Sequence, residues 1–342
     1  MKLKKLVVAT SIFTTASLSF AMGANNMDII KKDNNPLGNE PYAEVAISTN
    51  GSCDYQILVN DVPIYAGAGP INTTLPVNPY MMVGQNNLAV TVQKKDKDCS
   101  VSASLQVRRS DDFDSTAMLN TVSYKGNPDD TTEKDADSST KAEKLTFKDG
   151  KFEKSDDGYI AVSDAKLDSG NVFYGYNYDN QKRELMAGVK VSQDINLPID
   201  LPKWTWESGE PIADNQETKD QLIAIYKDIW KLIEAKDWDK LNKLFELRDK
   251  EMAKAFYTGG KNGTTTDRIK EEAQDQEYIL KSSSDIKAIN KSLFVNIYGD
   301  GKLVEATFWN GDSSLQFKKS DNTVSIYGII FAKLNGKFVI VG

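Results

Sequence analysis

The feature that most constrains this chain is a series of short alternating apolar runs separated by turn-forming residues. Val101, Ala103, Leu105 and Val107 fall on every second position, and successive side chains of a strand point to opposite faces. Tyr42 to Ser48 alternates in the same way. Tyr55 to Val59 meets the turn pair Asn60-Asp61 and is followed by Pro63-Ile64-Tyr65. Ile71 to Val77 is a further candidate, and Leu88 to Val92 is entered through Gly84-Gln85-Asn86-Asn87. Strands this short, at this spacing, predict an antiparallel β-sandwich, Ig-like or jelly-roll-like.

The pattern changes twice further along. Asn127 to Lys144 is polar, charged and poor in apolar residues, and predicts a disordered insert or long excursion. Its acidic residues Asp129, Asp130, Glu133, Asp135 and Asp137 lack the Gly and terminal Glu of an EF-hand loop, so a solvated loop is predicted rather than a calcium site. Tyr159 to Val162, Asn171 to Tyr178 and Leu185 to Ile195 read as strands that either complete the sandwich or form a second sheet. Leu222, Ile225, Tyr226, Ile229, Trp230 and Ile233 then follow helical spacing, with Asn215 or Thr218 as the cap. A second helix is predicted from Trp238 through Phe256. A third starts at Thr264 and places Ile269, Ala273 and Leu280 on one side. The remainder is a meander whose strands meet at Asp300-Gly301, Asn310-Gly311 and Asn335-Gly336, which are hairpin signals. The predicted chain is multidomain: a sandwich region over 42–207, then an α+β domain of three helices and an antiparallel meander sheet over 208–342.

The first residues carry an address. Lys2, Lys4 and Lys5 precede an uncharged, mostly apolar stretch from Leu6 to Ala21, with a small-x-small cleavage site at Ala21. This is the layout of a secretory signal peptide over 1–21, followed by a polar leader over 22–41. The apolar part is shorter than the roughly 20 residues of a membrane span, and no transmembrane segment is predicted. Periplasmic or secreted localisation follows, and in such a compartment Cys53 and Cys99, the chain's 2 cysteines, are expected to form a disulfide.

Composition excludes several chemistries. The 342-residue chain contains 0 histidines, which removes Ser-His-Asp and Cys-His catalysis and every His-ligated metal. No cofactor and no metal are predicted. The formal charge is −7, and loss of the three leader lysines makes the mature chain more acidic still. Nucleic acid is therefore not an expected partner. Lys94-Lys95 and Arg108-Arg109 are too short to form a basic patch and lie among aspartates.

Two stretches resemble known folds. Tyr55 to Asp61, with Tyr80 to Val92 and its Gly84-Gln85-Asn86-Asn87-Leu88 step, resembles galactose-binding-like β-sandwich modules, over about 42–110. That resemblance implies a fold more than sugar binding, because Gly and Asn supply turns in any sandwich. The helices and meander over about 210–342, with Ala235-Lys236-Asp237-Trp238-Asp239 between the first two helices, resemble the nuclear-transport-factor-two-like cone. Enzymes of that family commonly use a His-Asp pair, so with no histidine the resemblance implies a ligand pocket or a protein-binding face.

Among candidate ligand-binding residues, Tyr174, Tyr176, Tyr178, Trp204 and Trp206 recur at period two and could form a flat platform for sugar rings. The same rings could equally cover a core or a domain junction. Glu207 and Glu210 are the nearest carboxylate pair, but helix entry explains Glu210 equally well, and a glycosidase pair must face across about 5–9.5 Å. Gly259-Gly260-Lys261-Asn262-Gly263-Thr264 lacks phosphate-loop spacing and reads as a helix connector. Ser284-Asp285-Ile286-Lys287 is a chance Ser-x-x-Lys at a helix or loop start. No catalytic residue is assigned. The expected function is an exported, non-catalytic binding protein of the bacterial envelope, neutralising a protein partner such as a toxin, since an acidic surface suits a basic partner. The alternative is a glycan-binding protein or a carboxylate-dependent glycan hydrolase.

Overall fold

The computed structural model describes residues 40–93, 99–126, 141–148, 151–177, 182–260, 263–275, 278–280, 293–308, 313–319 and 324–342. The predicted signal with its Ala21 cleavage site, the leader up to residue 39, most of the acidic insert, Tyr178, Asn310-Gly311 and Ser284 to Lys287 lie outside them.

The alternating runs form two facing antiparallel sheets. The smaller contains β1 (Pro41–Gly51), β4 (Ile71–Pro76), β6 (Cys99–Arg109) and β7 (Asp112–Gly126), in the order β4-β1-β6-β7. The larger contains β2 (Asp54–Val59), β3 (Val62–Ala68), β5 (Gly84–Gln93), β8 (Glu143–Lys148), β9 (Lys151–Lys154), β10 (Ile160–Val162) and β12 (Lys182–Leu197), in the order β3-β2-β5-β12-β10-β8-β9. An eighth strand, β11 (Lys166–Asn177), pairs with β12. The alternation fixes which residues meet between the sheets. Val101, Ala103, Leu105 and Val107 point inward with Val45 and Ile47, against Tyr55, Ile57, Val90 and Val191. Strands β7 to β12 thus belong to the sandwich and not to a separate sheet. The end of the expected excursion is corrected: Glu143 and Lys144 open β8, whose Leu145 is buried against the core.

Cys53 and Cys99 are bonded, with Cα atoms 5.9 Å apart. Cys53 precedes β2 in the larger sheet and Cys99 opens β6 in the smaller, so the bridge ties the two sheets together. Asn60 and Asp61 both have positive φ, 51° and 63°, which is the backbone of a two-residue hairpin turn between β2 and β3.

The second unit is α+β. Helix α1 (Gln216–Glu234) is capped by Asn215, whose Oδ1 accepts from the Thr218 N–H at 2.9 Å. Lys236 at φ 54° ends that helix, and Asp237 caps α2 (Trp238–Ala255). Thr264 and Asp267 form a capping box at α3 (Thr265–Gln274). The third helix is shorter than predicted, since Leu280 lies on strand β13 (Tyr278–Leu280). The meander divides over two sheets rather than one. One contains β13, β16 (Leu315–Lys319) and β17 (Val324–Tyr327). The other, in the order β14-β15-β18-β19, contains β14 (Phe294–Tyr298), β15 (Leu303–Thr307), β18 (Ile330–Leu334) and β19 (Lys337–Ile340). Strands β17 and β18 are separated at Gly328-Ile329, where the chain passes between the two sheets. The apolar stripe of α1 packs on them: Leu222, Tyr226, Ile229 and Trp230 share a core with Val304, Phe317 and Phe331. Among the described residues no helix is long and apolar enough to cross a membrane.

The disulfide closes a loop of 46 residues, which in the chain-entropy account stabilises the fold by about 4 kcal/mol. Replacing both cysteines by serine is expected to lower the urea unfolding free energy of the sandwich by about that amount. Adding a reductant to the wild type should have the same effect, and no further effect on the variant.

Candidate functional site

The segment between the two units carries Trp204 and Trp206, and the structure buries both. Their surfaces are 2% and 5% exposed. Trp204 Nε1 donates to the Met81 carbonyl at 2.7 Å and Trp206 Nε1 to the Pro79 carbonyl at 3.1 Å. These carbonyls belong to a 3-10 turn at Asn78–Tyr80 and the residue after it. The indoles pack with Val62 of the sandwich and with Ala255, Leu303, Ala332 and Val341 of the α+β unit. They cover the domain junction, the second of the two roles weighed for them, and neither indole face is open for stacking on a sugar ring. Glu207 and Glu210 are equally occupied. Glu207 Oε1 accepts from the Trp204 N–H at 2.7 Å, and Glu210 Oε1 from the Gly336 N–H at 2.9 Å. They act as backbone acceptors on separate elements and do not face one another across a pocket.

The tyrosines have different fates. Tyr176 lies on β11 opposite Arg183 of β12, and Tyr178 is outside the described residues. Tyr174 is half-buried on the β11–β12 hairpin, and its hydroxyl donates to the Val295 carbonyl of β14 at 3.1 Å. The hairpin is thereby an arm that reaches from the sandwich to the edge of the α+β sheet. The backbone of the same residue is held by Gln56 of the sandwich, whose Nε2 donates to the Tyr174 carbonyl at 2.8 Å and whose Oε1 accepts from the Tyr174 N–H at 3.4 Å.

Beneath this arm lies a cleft of about 540 Å³ with walls from both units, within the usual range for ligand sites of about 300–1,000 Å³. Its floor is the outer face of the larger sandwich sheet, where Gln56, Leu58, Thr91 and Lys190 alternate with the inward core residues. Asp61, Pro63 and Ala66 form one side, and Asn171, Val172, Tyr174 and Leu185 of the arm form another. Asn296, Ile297, Tyr298 and Glu305 of β14 and β15 close it. Two other hollows are less suited. One of about 530 Å³ between α2 and α3 is lined by Arg248, Asp249 and Thr265, which bond to one another and so clamp the two helices. Its glycine connector has positive φ at Gly259, Gly260 and Gly263, as a turn between helices requires. Another of about 680 Å³ beside β8 and β10 draws on the sandwich alone.

The electrostatics of the cleft are uneven. Lys190 and Asp61 form no salt bridge among the described residues. Asp61 is an exposed turn residue whose carboxyl faces the crowded cleft mouth. Burial of that carboxyl pushes its pKa above the ordinary value, with Lys190 opposing the shift and Asp300 adding to it. The Tyr298 hydroxyl lies 3.5 Å from Glu305 Oε2. Asn296 is 1% exposed; its Nδ2 donates to the Thr307 hydroxyl at 2.8 Å, while its Oδ1 has no hydrogen-bond partner. Buried polar atoms are almost always paired, so this oxygen is an exception on the strand that walls the cleft. Among the described residues no group of three or more acidic or cysteine side chains is placed to hold a metal ion. Arg108 is not part of any basic surface: it is buried between the rings of Tyr42 and Phe113, 4.1 Å from each centroid.

Asp61, Lys190, Leu185 and Glu305 were not among the candidate site residues of the sequence, although Lys190 and Glu305 leave a trace. Lys190 and Glu305 interrupt the apolar runs Val189-Lys190-Val191 and Val304-Glu305-Ala306, and a charge inside a strand marks a face that the core does not use. No family model, curated protein or solved structure matches the chain.

Two outcomes test this geometry. Trp204→Phe removes the indole donor and leaves the Met81 carbonyl buried without a partner. A loss of about 1–3 kcal/mol is expected, read as a lower denaturant midpoint. Asp61→Asn should raise stability near neutral pH, because a carboxyl with a raised folded pKa favours folding at low pH and loses that contribution as pH rises through it. The gain over wild type should shrink as pH falls toward about 4, the range of an unfolded carboxyl. Asparagine tolerates the positive φ at this position.

Proposed function

We propose that this chain is an exported, non-catalytic binding protein of the bacterial envelope, periplasmic in location, that captures a protein partner in the cleft between its two domains. The observation that carries the reading is the division of labour among polar groups. The indole N–H groups, Gln56, Glu207 and Glu210 are all occupied in holding the fold. Around the cleft, Lys190 and Asp61 form no salt bridge among the described residues, and Leu185 leaves 54% of its surface exposed. Such a mixture of apolar shelf and convergent polar groups is typical of a recognition site. Export is supported by the leader pattern of residues 1–21 and by the Cys53–Cys99 bridge. The acidic balance of the chain suits a basic partner, as in neutralisation of a toxin acting in the same compartment. A glycan platform draws no support from Trp204 and Trp206, which are buried in the junction.

Ala66 is exposed on β3 and lines the cleft, so Ala66→Trp fills it without entering the core. Immobilised wild-type protein is expected to retain a component of a periplasmic extract that the variant does not. Retention by both proteins alike, or by neither, refutes the reading.

A further inference from the structure

The cleft carries more than side chains: one of its walls is an open sheet edge. Strand β14 ends the order β14-β15-β18-β19, and among the described residues no strand pairs with its outer side. The direction of its backbone groups follows from two hydrogen bonds. The Tyr298 carbonyl accepts from the N–H groups of Gly301 and Lys302, both at 3.1 Å, in the turn to β15. It therefore points toward β15. Backbone groups alternate along an antiparallel strand, so Val295 and Ile297 direct theirs away from β15. The Tyr174 hydroxyl meets the Val295 carbonyl from that outer side, as the alternation requires. At Val295 the arm caps the edge. At Ile297, two residues along, the N–H and carbonyl face the cleft.

An exposed edge is a template for another strand. Proteins that use it for recognition take affinity from the main chain and specificity from pockets for alternate side chains. Both elements are present. Leu58, Pro63 and Leu185 offer an apolar shelf beside the edge. At the cleft mouth Asp61 stands near Asp300, with Lys190 the one cation lining the cleft among the described residues, and this paired acidic mouth favours a basic side chain. Among the described residues of the arm, Tyr174 lines the cleft, and its hydroxyl is bonded to the Val295 carbonyl.

We propose that the cleft binds an extended peptide segment of its partner, which adds as a strand to the outer edge of β14 at Ile297 and places a lysine or arginine toward Asp61. This rests on the reading of the cleft as the binding site and goes beyond it in naming the form and charge of what enters.

The test uses the full mature chain and an array of blocked octapeptides that alternate an apolar residue with Lys, Arg or Glu, read by fluorescence anisotropy. Lys- or Arg-containing peptides should bind and their Glu counterparts should not. In an added strand only every second amide faces the host. N-methylation of one alternate set of amides should therefore abolish binding, and N-methylation of the other set should leave it nearly unchanged. Asp61→Asn should weaken binding by up to about fivefold, as expected for a partly exposed charge pair, and added salt should reduce the difference. Equal tolerance of both N-methylated sets overturns strand addition. So does binding of chitotetraose or peptidoglycan fragments in place of any peptide. If no peptide binds while Ala66→Trp still abolishes capture from the extract, the strand proposal falls and the cleft reading stands. If a peptide binds wild type and Ala66→Trp equally, the cleft reading falls and the strand proposal falls with it.

Discussion

The structure depends on the short turn from Asn78 to Met81. This turn lies in the sandwich, yet its polar groups serve the other unit. The carbonyls of Pro79 and Met81 receive the two indoles of the connecting segment. Asn78 is fully buried; it accepts from the Ala43 N–H, and its Nδ2 donates to the carbonyls of Pro41 and of Ala255 at the end of α2. Tyr257 adds a bond from its hydroxyl to the Pro41 carbonyl at 2.7 Å. Each of these groups would be costly to bury without its partner, since an unmet buried donor or acceptor forfeits its full desolvation energy. The two units are therefore joined by satisfied polar contacts inside an apolar seal, which fixes their relative placement more tightly than apolar contact alone, because hydrogen bonds are directional.

That fixed placement creates the cleft. With the junction set on one side, the outer face of the larger sandwich sheet and the edge of β14 stand opposite each other, and the β11–β12 arm spans the gap. Tyr174 of the arm joins the two sides, with its backbone bonded to Gln56 and its hydroxyl to the Val295 carbonyl. Glu251 of α2, buried and accepting from the Thr205 N–H at 2.7 Å, ties the connecting segment to the same helix that Asn78 grips. The cleft is thus an outcome of domain placement rather than of a local loop, and its residues come from strands far apart in the chain.

This explains what could be read from the sequence. The strand alternation of β1, β2, β5 and β6 was legible because one face of each is spent on a single core. The caps at Asn215 and Thr264, and the turns at Asn60-Asp61, Asp300-Gly301 and Asn335-Gly336, were legible because their chemistry is local. The split of the meander at Gly328 was not, since nothing in a run of β-prone residues says which sheet each half joins. The short third helix was misjudged because Leu280 continues a helical spacing that β13 overrides through pairing with β16. For the site, the tyrosine–tryptophan series was visible as a pattern, but burial separated its members: Tyr174 reached the cleft, and the tryptophans went to the junction. The charged members of the cleft act through neighbours that only the tertiary fold supplies.

The junction turn also bears on how such a chain can be divided. A cut near residue 208, where composition suggests a boundary, would leave Trp204 and Trp206 on the first fragment without Ala255, Leu303 and Val341 to cover them. The second fragment would expose the apolar counterpart of that surface, and the two halves would each present a sticky patch that the intact molecule hides. The protein is built from two cores, and the connecting segment acts as a shared keystone between them rather than as a tether.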